Sequence, residues 1–526
     1  MKKYLAFLGS LILIIAVSAQ NRYLVSLTDK GNVSSINIDD VLSPRAIKNH
    51  IKNGVMLNEL DFPVQQTYLN KLSELGSVIK ISKWLNAVII TSSAPSQTIL
   101  NLPFVSAIEV LATGQTYTKG KFKIEDKLNE NKTLNYDSTF QQNTQIGVDC
   151  IHDKGFLGEN VLLAILDAGF QGMDTILAFD SLFLENRVVD MYDFVDDDVT
   201  VFEKHFHGTW VSSVIAGNQV NYIGSAPHVS LCLYITEDVT REVHEEEFDL
   251  VRGLERADSV GADLVNISLG YFTFDTLQGD YTYLNMDGQT TISALGIQAA
   301  TSRGLVIVTS AGNSGPNNIA TPCDADSILC VGATDTNNVI ASFSSVGPSA
   351  DGRVKPDVAA TGKNAMCVDT DGTIRRCNGT SFSSPITCGM VACLMQSHPT
   401  LTMMDIVNSV RQSGHQYSTP DNLYGYGIPN ACIADSLLTL LEVPIGIKEM
   451  KLESDFDIYP NPSNDYITIA SFEGIELVEF YSMQGKLVKQ IKLSESNSVL
   501  INCNDLEKGI YLVQVNHSMH HRLIIQ

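Results

Sequence analysis

The pattern of apolar and polar positions divides the chain into three folded parts with different periodicities. In residues 20–135, the stretch Val64–Leu75 has apolar side chains at every third or fourth position, which is typical of a helix. Short apolar runs on either side of it predict strands at Tyr23–Val25, Val78–Ile81 and Ala87–Ile90. This mixture indicates a small α+β domain. The polar, lysine- and glutamate-rich segment Gly114–Asn135 follows it and is typical of an exposed linker that proteases cut.

The pattern changes over residues 136–441, where buried runs of four to six apolar residues alternate with helices. The clearest runs are Val161–Leu166, Leu231–Ile235, Leu264–Ile267 and Val306–Ser310. Because these runs are apolar at nearly every position, they predict parallel strands that helices cover on both faces. We therefore expect a doubly wound α/β fold, in which ligands bind beyond the carboxyl ends of the strands.

The last part of the chain returns to short strands separated by turns. Residues 442–453 are a mixed, charged connector, and residues 454–526 contain turn signals such as Gln484-Gly485. Strands are predicted at Tyr466–Ile469, Leu477–Tyr481, Leu487–Ile491 and Ile510–Val515. This spacing indicates a small β-sandwich.

The first nineteen residues differ in composition from the rest. Lys2 and Lys3 precede an apolar run, Tyr4–Val17, and small residues then lead to a cleavage site after Ala19. A transmembrane anchor is the alternative, but this run is shorter than the roughly twenty residues that span a bilayer. Residues 1–19 are therefore predicted to be a signal peptide. No later apolar stretch is long enough to cross a membrane.

The overall composition is that of a globular protein, with 44% hydrophobic and 18% charged residues among 526. Acidic side chains outnumber basic ones by 59 to 35, which gives a formal net charge of -24. This charge disfavours nucleic acid and anionic membranes as partners because it repels them.

Ten cysteines in a chain that is exported make disulfides possible. Cys388 and Cys393 lie in the apolar run Ile386–Met395, where cysteine behaves as a small buried hydrophobe, and we expect both thiols to be free. Four others form two close pairs, each of which could close a short loop and is predicted to be oxidised: Cys323 with Cys330, and Cys367 with Cys377.

Two titratable residues occupy positions that suit catalysis. Asp167 directly follows the predicted apolar strand Val161–Leu166 and precedes Ala168-Gly169, so its carboxylate would project from the carboxyl edge of the sheet. Taken alone, it could equally cap a helix or stabilise a turn. His207 precedes a helix predicted to start at Gly208, where the helix dipole favours the neutral imidazole that a general base requires. Taken alone, it could be a histidine that is merely hydrogen-bonded near a turn.

Two further residues complete the groups that peptide hydrolysis needs, namely a nucleophile and donors for the developing oxyanion. Gly379 allows close backbone approach and Pro385 is tolerated only in a first helical turn, so Ser381 lies at the start of a helix. An N-cap serine and a sugar acceptor at Asn378–Thr380 are the alternatives. Asn313 lies in a glycine-flanked turn, where its amide could be a second oxyanion donor or a structural group.

The stretches around Asp167, His207, Asn313 and Ser381 together resemble the subtilisin-like serine protease family over residues 136–441, and the order Asp, His, Ser is also that of subtilisin. Further matching segments are Gly224–Pro227, Gly261–Gly270, Lys355–Val358 and Tyr426–Asn430. The resemblance implies an endopeptidase with Asp167, His207 and Ser381 as its catalytic triad and Asn313 at the oxyanion hole. It also implies an acyl-enzyme intermediate and polypeptide substrates.

The resemblance extends to the substrate cleft and to both flanking domains. Residues 20–135, which open with Arg22–Val25, are similar to subtilisin propeptides and are expected to act as an inhibitor until they are cleaved off. Residues 454–526 resemble the type IX secretion sorting domain through Tyr459–Pro462 and Lys508–Leu512. The machinery of that route is thus an expected partner, and a secreted or cell-surface location is expected. Two segments would bind the substrate: Ser268, Leu269 and Gly270 on one side, and Ser310, Ala311 and Gly312 on the other.

The sequence departs from this family in its metal sites and leaves two other classes of protein to consider. Subtilisins often carry calcium, but Glu242–Asp249 is interpreted as a solvated helix face and Asp196–Asp198 as a surface turn. No metal ligand is therefore assigned, no cofactor is expected to be required, and calcium stays open. A lipase or esterase would need a Gly-x-Ser-x-Gly elbow and the order Ser, Asp, His, which Ser381 does not fit. A non-catalytic adhesin with the same fold would have no need of all four site residues.

Overall fold

A computed structural model of the chain describes residues 21–33, 36–113, 138–275, 279–316, 319–442, 456–482, 485–516 and 519–526. The predicted signal peptide, the linker Gly114–Asn135 and all but the first residue of the connector 442–453 lie outside the described residues. None of the helices in the described ranges is both long and apolar enough to span a bilayer. The domain boundaries drawn from the sequence stay predictions.

The amino-terminal unit is a four-stranded antiparallel sheet with helices against it. Its strands pair in the order β2-β3-β1-β4. Val25, Val88 and Ile90 lie in its core together with Leu72 of the helix that was predicted from the three-and-four periodicity. The elements are β1 (Asn21–Leu27), α1 (Pro44–Lys52), α2 (Gln66–Ser73), β2 (Ser77–Ser82), β3 (Ala87–Ser92), α3 (Ser96–Leu100) and β4 (Val105–Thr113). The predicted α+β unit is confirmed.

The central unit is built on a seven-stranded parallel sheet between helices. Its elements are α4 (Phe140–Gln145), α5 (Val148–Asp153), β5 (Leu162–Asp167), α6 (Asp180–Leu184), β6 (Val188–Asp193), α7 (His207–Ala216), β7 (Asn218–Gln219), β8 (Tyr222–Ile223), β9 (Ser230–Ile235), α8 (His244–Val260), β10 (Leu264–Ile267), α9 (Ile292–Ser302), β11 (Val306–Ser310), β12 (Leu329–Thr334), β13 (Val358–Thr361), β14 (Lys363–Val368), β15 (Ile374–Asn378), α10 (Thr380–Ser397), α11 (Met403–Gln412) and α12 (Ala431–Glu442).

The strands of this sheet follow the order β13-β12-β11-β10-β5-β9-β6, which confirms the doubly wound prediction. Strand β5 pairs with β10 on one side and with β9 on the other, so the chain reverses direction across the sheet at β5. All residues of β5, β10, β11, β12 and β13 are buried, which explains their continuous apolar runs. Asp167 ends β5 at this reversal, where open α/β sheets bind their ligands.

Three disulfides hold loops and helices of the central unit, and one of them was not predicted. Cys150 of α5 bonds to Cys432 of α12 across 282 positions of sequence. The thiols of Cys388 and Cys393 are free and buried, as predicted. The two predicted short-range bonds, Cys323–Cys330 and Cys367–Cys377, are both confirmed.

The named strands of the carboxyl-terminal unit pair antiparallel and wrap around a core of their own. The two strands predicted at Tyr466–Ile469 and Leu477–Tyr481 form a single long strand, and its pairing register shifts between Ala470 and Ile475. Such irregularities bend a strand, so this one strand can pair with different partner strands near its two ends. The elements are β16 (Phe456–Tyr459), β17 (Tyr466–Ser482), β18 (Leu487–Asn502), β19 (Gly509–Val515) and β20 (Met519–Ile525).

The amino-terminal unit packs on α8, which corrects one prediction. Residues Glu242–Asp249 were expected to form a solvated helix face, but Glu242 is half-buried and Val243–Asp249 are buried. Lys80 forms ion pairs with Glu245 and Asp249, so the sheet of the amino-terminal unit covers these carboxylates and supplies their countercharge. The predicted surface turn Asp196–Asp198 is exposed, as expected.

Candidate active site

Asp167 and His207 form a buried hydrogen-bonded pair at the carboxyl edge of the sheet. Asp167 is the last residue of β5 and is fully buried, whereas His207 is the first residue of α7. The Oδ1 atom of Asp167 lies 2.8 Å from Nδ1 of His207 and accepts a second hydrogen bond from the backbone N–H of Ala168. Because a carboxylate can only accept, Nδ1 carries a proton, and in the neutral imidazole Nε2 therefore keeps its lone pair.

Gly169 allows α7 to approach the end of β5 this closely. Its φ is +148°, and its carbonyl accepts a hydrogen bond of 2.9 Å from the backbone N–H of Gly208. A Cβ atom at position 169 would lie only 2.5 Å from the backbone nitrogen of His205. The Ala168-Gly169 sequence after the strand is therefore what brings the histidine helix against Asp167.

The electrostatics of His207 differ from the prediction based on the helix dipole. Burial by itself would lower the pKa of His207, but the charge and hydrogen bond of Asp167 outweigh burial and raise the pKa above its usual value. The ion pair dominates because Oδ1 of Asp167 lies 2.8 Å from Nδ1 of His207, within hydrogen-bond distance. Burial lowers the pKa of the neighbouring His205, and the proximity of His207 adds to this effect.

Ser381 lies near the start of α10 and is bonded to the end of β10. Its hydroxyl donates a hydrogen bond of 3.3 Å to the carbonyl of Ser268, and the Ser268 hydroxyl donates one of 3.2 Å to the carbonyl of Ser381. The next side chain, Phe382, has its ring centroid 6.2 Å from that of His207. The structure thus places the residue next to Ser381 against His207, and the Ser381 hydroxyl bonds to a backbone carbonyl rather than to the imidazole.

Two buried side chains that sequence reasoning missed lie beneath Ser268. Asn266 donates a hydrogen bond of 3.0 Å to the Ser268 hydroxyl and accepts one of 2.9 Å from the hydroxyl of Ser384. This chain of bonds ties β10 to α10 below the candidate nucleophile. Asn266 stands out in the sequence as the one polar residue in the apolar strand Leu264–Ile267, which is the signal that could have found it.

Asn313 and Ser381 contribute two N–H donors that border one small space. A Cβ atom built at Gly379 would lie 3.5 Å from Nδ2 of Asn313 and 3.7 Å from the backbone nitrogen of Ser381. The side-chain oxygen of Asn313 is occupied, because it accepts hydrogen bonds from the backbone N–H and the hydroxyl of Thr380. Thr380 was not predicted to have this role, although it belongs to the same motif as Ser381.

The two predicted substrate-binding segments lie side by side. They follow the adjacent parallel strands β10 and β11, so both leave the sheet at the edge that carries Asp167. The Ser310 hydroxyl donates to the carbonyl of Leu269 at 3.5 Å, and the backbone N–H of Gly312 donates to the Thr380 hydroxyl at 3.2 Å. Leu269 and Ala311 are buried, whereas Gly270 is exposed. The substrate-binding role of these segments stays a prediction.

The loop predicted between Cys367 and Cys377 is a hairpin, and it braces the histidine helix through a contact that was not predicted. Trp210 of α7 donates a hydrogen bond of 2.9 Å from Nε1 to Asp369, and the guanidinium of Arg375 lies 5.2 Å from the centre of its ring. The hairpin consists of β14 and β15 and is closed by the Cys367–Cys377 bond. More than 150 residues separate Trp210 from Asp369 in the chain, so local sequence carries no sign of this contact.

An acidic cluster lies between the end of β9 and the start of α8. Glu237, Glu242 and Glu246 each have a carboxylate oxygen within 4.8 Å of the others. Burial and the neighbouring carboxylates raise the pKa of Glu242 to about 7 and that of Glu246 to about 9. The Tyr271 hydroxyl donates to Glu237 at 3.1 Å. We assign no ion to this cluster, and calcium stays an open question.

Comparison with known proteins identifies the architecture around this site. Residues 158–427, about half of the chain, match the subtilase family. The chain belongs to the subtilase family. This subtilase is 30% identical to subtilisin DY of Bacillus licheniformis over 54% of its own length and 94% of that protein. It is 28% identical to subtilisin BL of Lederbergia lenta, over 55% of this chain and 95% of that one.

Comparison with solved structures supports the fold described above. The structure resembles the crystal structure of the epidermin leader peptide processing serine protease of Staphylococcus aureus, with a TM-score of 0.55 and 16% sequence identity. The match covers 79% of this subtilase and 99% of that chain.

The flanking units of the subtilase also match known domains. Residues 22–129 match the Peptidase S8 propeptide domain of Bacteroidota, and residues 457–526 match the secretion system C-terminal sorting domain. The protein is thus a serine-type endopeptidase that is made as a secreted zymogen. Its sorting domain indicates type IX export to the cell surface or the extracellular space.

Proposed function

We propose that this subtilase hydrolyses polypeptides through an acyl-enzyme on Ser381, with His207 as general base and Asp167 as the group that orients it. The Ser381 oxygen attacks the peptide carbonyl carbon while its proton passes to Nε2 of His207. His207 then protonates the leaving amine, which departs as the C–N bond breaks. Water attacks the resulting ester, gives a proton to His207, and the acid product leaves as Ser381 regains its hydrogen.

One observation carries this proposal. The amide nitrogen of Asn313 and the backbone nitrogen of Ser381 border the same space over Gly379, beside a buried aspartate–histidine pair. A tetrahedral oxyanion in that space would receive two hydrogen bonds from groups that are already in place. The bond from Ser381 to the Ser268 carbonyl fits a resting site, since catalytic hydrogen bonds are often long or misaligned until substrate binds.

The propeptide domain is proposed to inhibit the protease before cleavage. It covers α8 and the turn after it with charged contacts: Arg22 pairs with Glu245 of α8, and Arg45 pairs with Asp263, just beyond the helix. Strand β4 ends at Thr113, so the chain leaves this domain directly toward the predicted linker. A tail held in this way can lie along the substrate strand and block it.

The carboxyl-terminal unit is proposed to direct export and to take no part in catalysis. Residues 454–526 contain none of the candidate site residues, and their core is separate from that of the protease unit. The predicted signal peptide, residues 1–19, would first take the chain across the inner membrane. Deletion of 454–526 should leave the protein in the periplasm with unchanged activity per molecule after maturation, and normal secretion of the truncated chain would contradict this role.

The proposed mechanism is tested with the mature enzyme, casein and an active-site label. Ser381→Ala should abolish cleavage, and an alkylphosphonyl fluoride should label Ser381 in the unmodified enzyme. Ser436→Ala, on the exposed face of α12, is the matched control and should keep both activity and labelling. Full activity of Ser381→Ala would overturn the mechanism. Absence of cleavage by the unmodified enzyme on any protein substrate would favour the non-catalytic adhesin.

A further inference from the structure

Three titratable side chains meet in a buried cluster between the propeptide and the protease, far along the chain from the catalytic residues. His50 lies in α1, Asp61 follows in the same domain, and Asp258 lies in α8 of the protease. All three are at least nine-tenths buried. The Nε2 atom of His50 lies 2.7 Å from Oδ1 of Asp258, and its Nδ1 atom lies 3.9 Å from Oδ1 of Asp61.

Each of the three residues has a polar atom that is shielded from solvent and has no hydrogen-bond partner. These atoms are Nδ1 of His50, Oδ1 of Asp61 and Oδ2 of Asp258. Buried polar atoms are almost always paired, because an unpaired one loses its bonds to water without replacement. Arg303 reaches only the other oxygen of Asp61, at 3.0 Å. Two carboxylate oxygens without partners in one dry cluster therefore point to a missing cation.

We propose that a divalent transition-metal ion of the zinc class binds to His50, Asp61 and Asp258 and clamps the propeptide to the protease. One ligand atom from each residue lies within 4.8 Å of the others. The donor set of one imidazole nitrogen and two carboxylate oxygens suits zinc, which bonds both at about 2.0–2.2 Å. An imidazole gives one nitrogen to an ion, so the ion would bind through Nε2 of His50, the ring nitrogen that faces Asp258 at 2.7 Å.

This site would exist only in the undivided or docked precursor, since the propeptide supplies two of its three ligands. Binding of the ion to the docked state would stabilise that state by mass action, and release of the propeptide would release the ion. Scarcity of the metal would thus favour activation, independently of cleavage at the linker.

The test uses the full-length precursor with Ser381→Ala, which keeps the chain intact. After chelator treatment, zinc uptake is measured by competition with a chromophoric chelator. We expect one tight site, whose affinity falls at least tenfold in His50→Gln and in Asp258→Asn. His228→Gln is the matched control, because His228 is an exposed histidine paired with Glu159, and it should bind zinc as the parent does.

A second set of measurements needs no substitution at the proposed metal ligands. X-ray absorption of the cobalt-loaded parent precursor should show one imidazole ligand with oxygen donors. After an added protease has cut the linker of the Ser381→Ala precursor, zinc should slow dissociation of the propeptide. Absence of tight uptake of zinc, cobalt and manganese would overturn the proposal, as would variants that bind like the parent. None of these measurements uses peptidase activity. Failure of the metal site can therefore be distinguished from failure of the proposed mechanism.

Discussion

The side-chain oxygen of Asn313 is held by Thr380 through two hydrogen bonds, 2.9 Å from its backbone nitrogen and 3.0 Å from its hydroxyl. An amide whose oxygen is held in this way presents its NH2 group in one direction. Since that group borders the space over Gly379, Thr380 acts as a positioning residue for the proposed oxyanion donor.

Asn313→Ala should lower kcat about a hundred- to a thousand-fold, as expected for the loss of one oxyanion donor, with KM little changed. Thr380→Val removes one of the two bonds to the amide and keeps its shape, so we expect a smaller loss, on the order of tenfold. Initial rates on a chromogenic peptide give both parameters. A change below about threefold in Asn313→Ala would remove Asn313 from the site.

Gly379→Ala should abolish most activity, because its Cβ atom would fill the space between the two proposed donors. The φ of Gly379 is +146°, so backbone strain will also reduce stability. Gly352→Ala separates these effects, since Gly352 has a φ of +85° and open space around its Cβ position. We expect Gly352→Ala to lower the melting temperature while keeping kcat. Equal kcat losses in the two variants would refute the assignment of this space.

Activity should fall as the pH is lowered through the raised pKa of His207, because only the neutral imidazole accepts the proton of Ser381. In Asp167→Asn the charge that raises this pKa is gone and burial remains, so the acid limb should move to lower pH. The rate should also drop by about 10⁴, since the tautomer is no longer held. Profiles of kcat/KM against pH for both proteins test this. An unmoved acid limb would mean that another group titrates.

Reduction of the Cys150–Cys432 bond should destabilise the protease unit more than loss of either short bond. The bond closes a loop of about 280 residues, and chain entropy predicts a loss of about 2–5 kcal/mol in Cys150→Ala. Cys367→Ala, which opens a loop of about ten residues, is the comparison and should cost less. Urea denaturation of both variants in the Ser381→Ala background provides the measurement. A smaller effect for Cys150→Ala would show that α5 and α12 hold each other without the bond.

The sequence by itself determined the parallel sheet and the segments that carry the candidate site. The bounds of β10 and β11 were predicted to the residue, because a strand buried on both faces must be apolar throughout, and polar residues mark its ends. Asp167 ends one such strand and Asn313 follows another, so their place at one edge of the sheet followed from the pattern.

Only the tertiary structure decided which distant residues meet. Cys150 and Cys432 are joined because α5 packs on α12, and no spacing in the chain predicts that contact. The acidic residues of α8 show the same limit. Their pattern is that of a water-exposed face, yet Lys80 and the propeptide sheet cover Glu245 and Asp249. A carboxylate is satisfied either by water or by a buried cation, and the local sequence is the same in both cases.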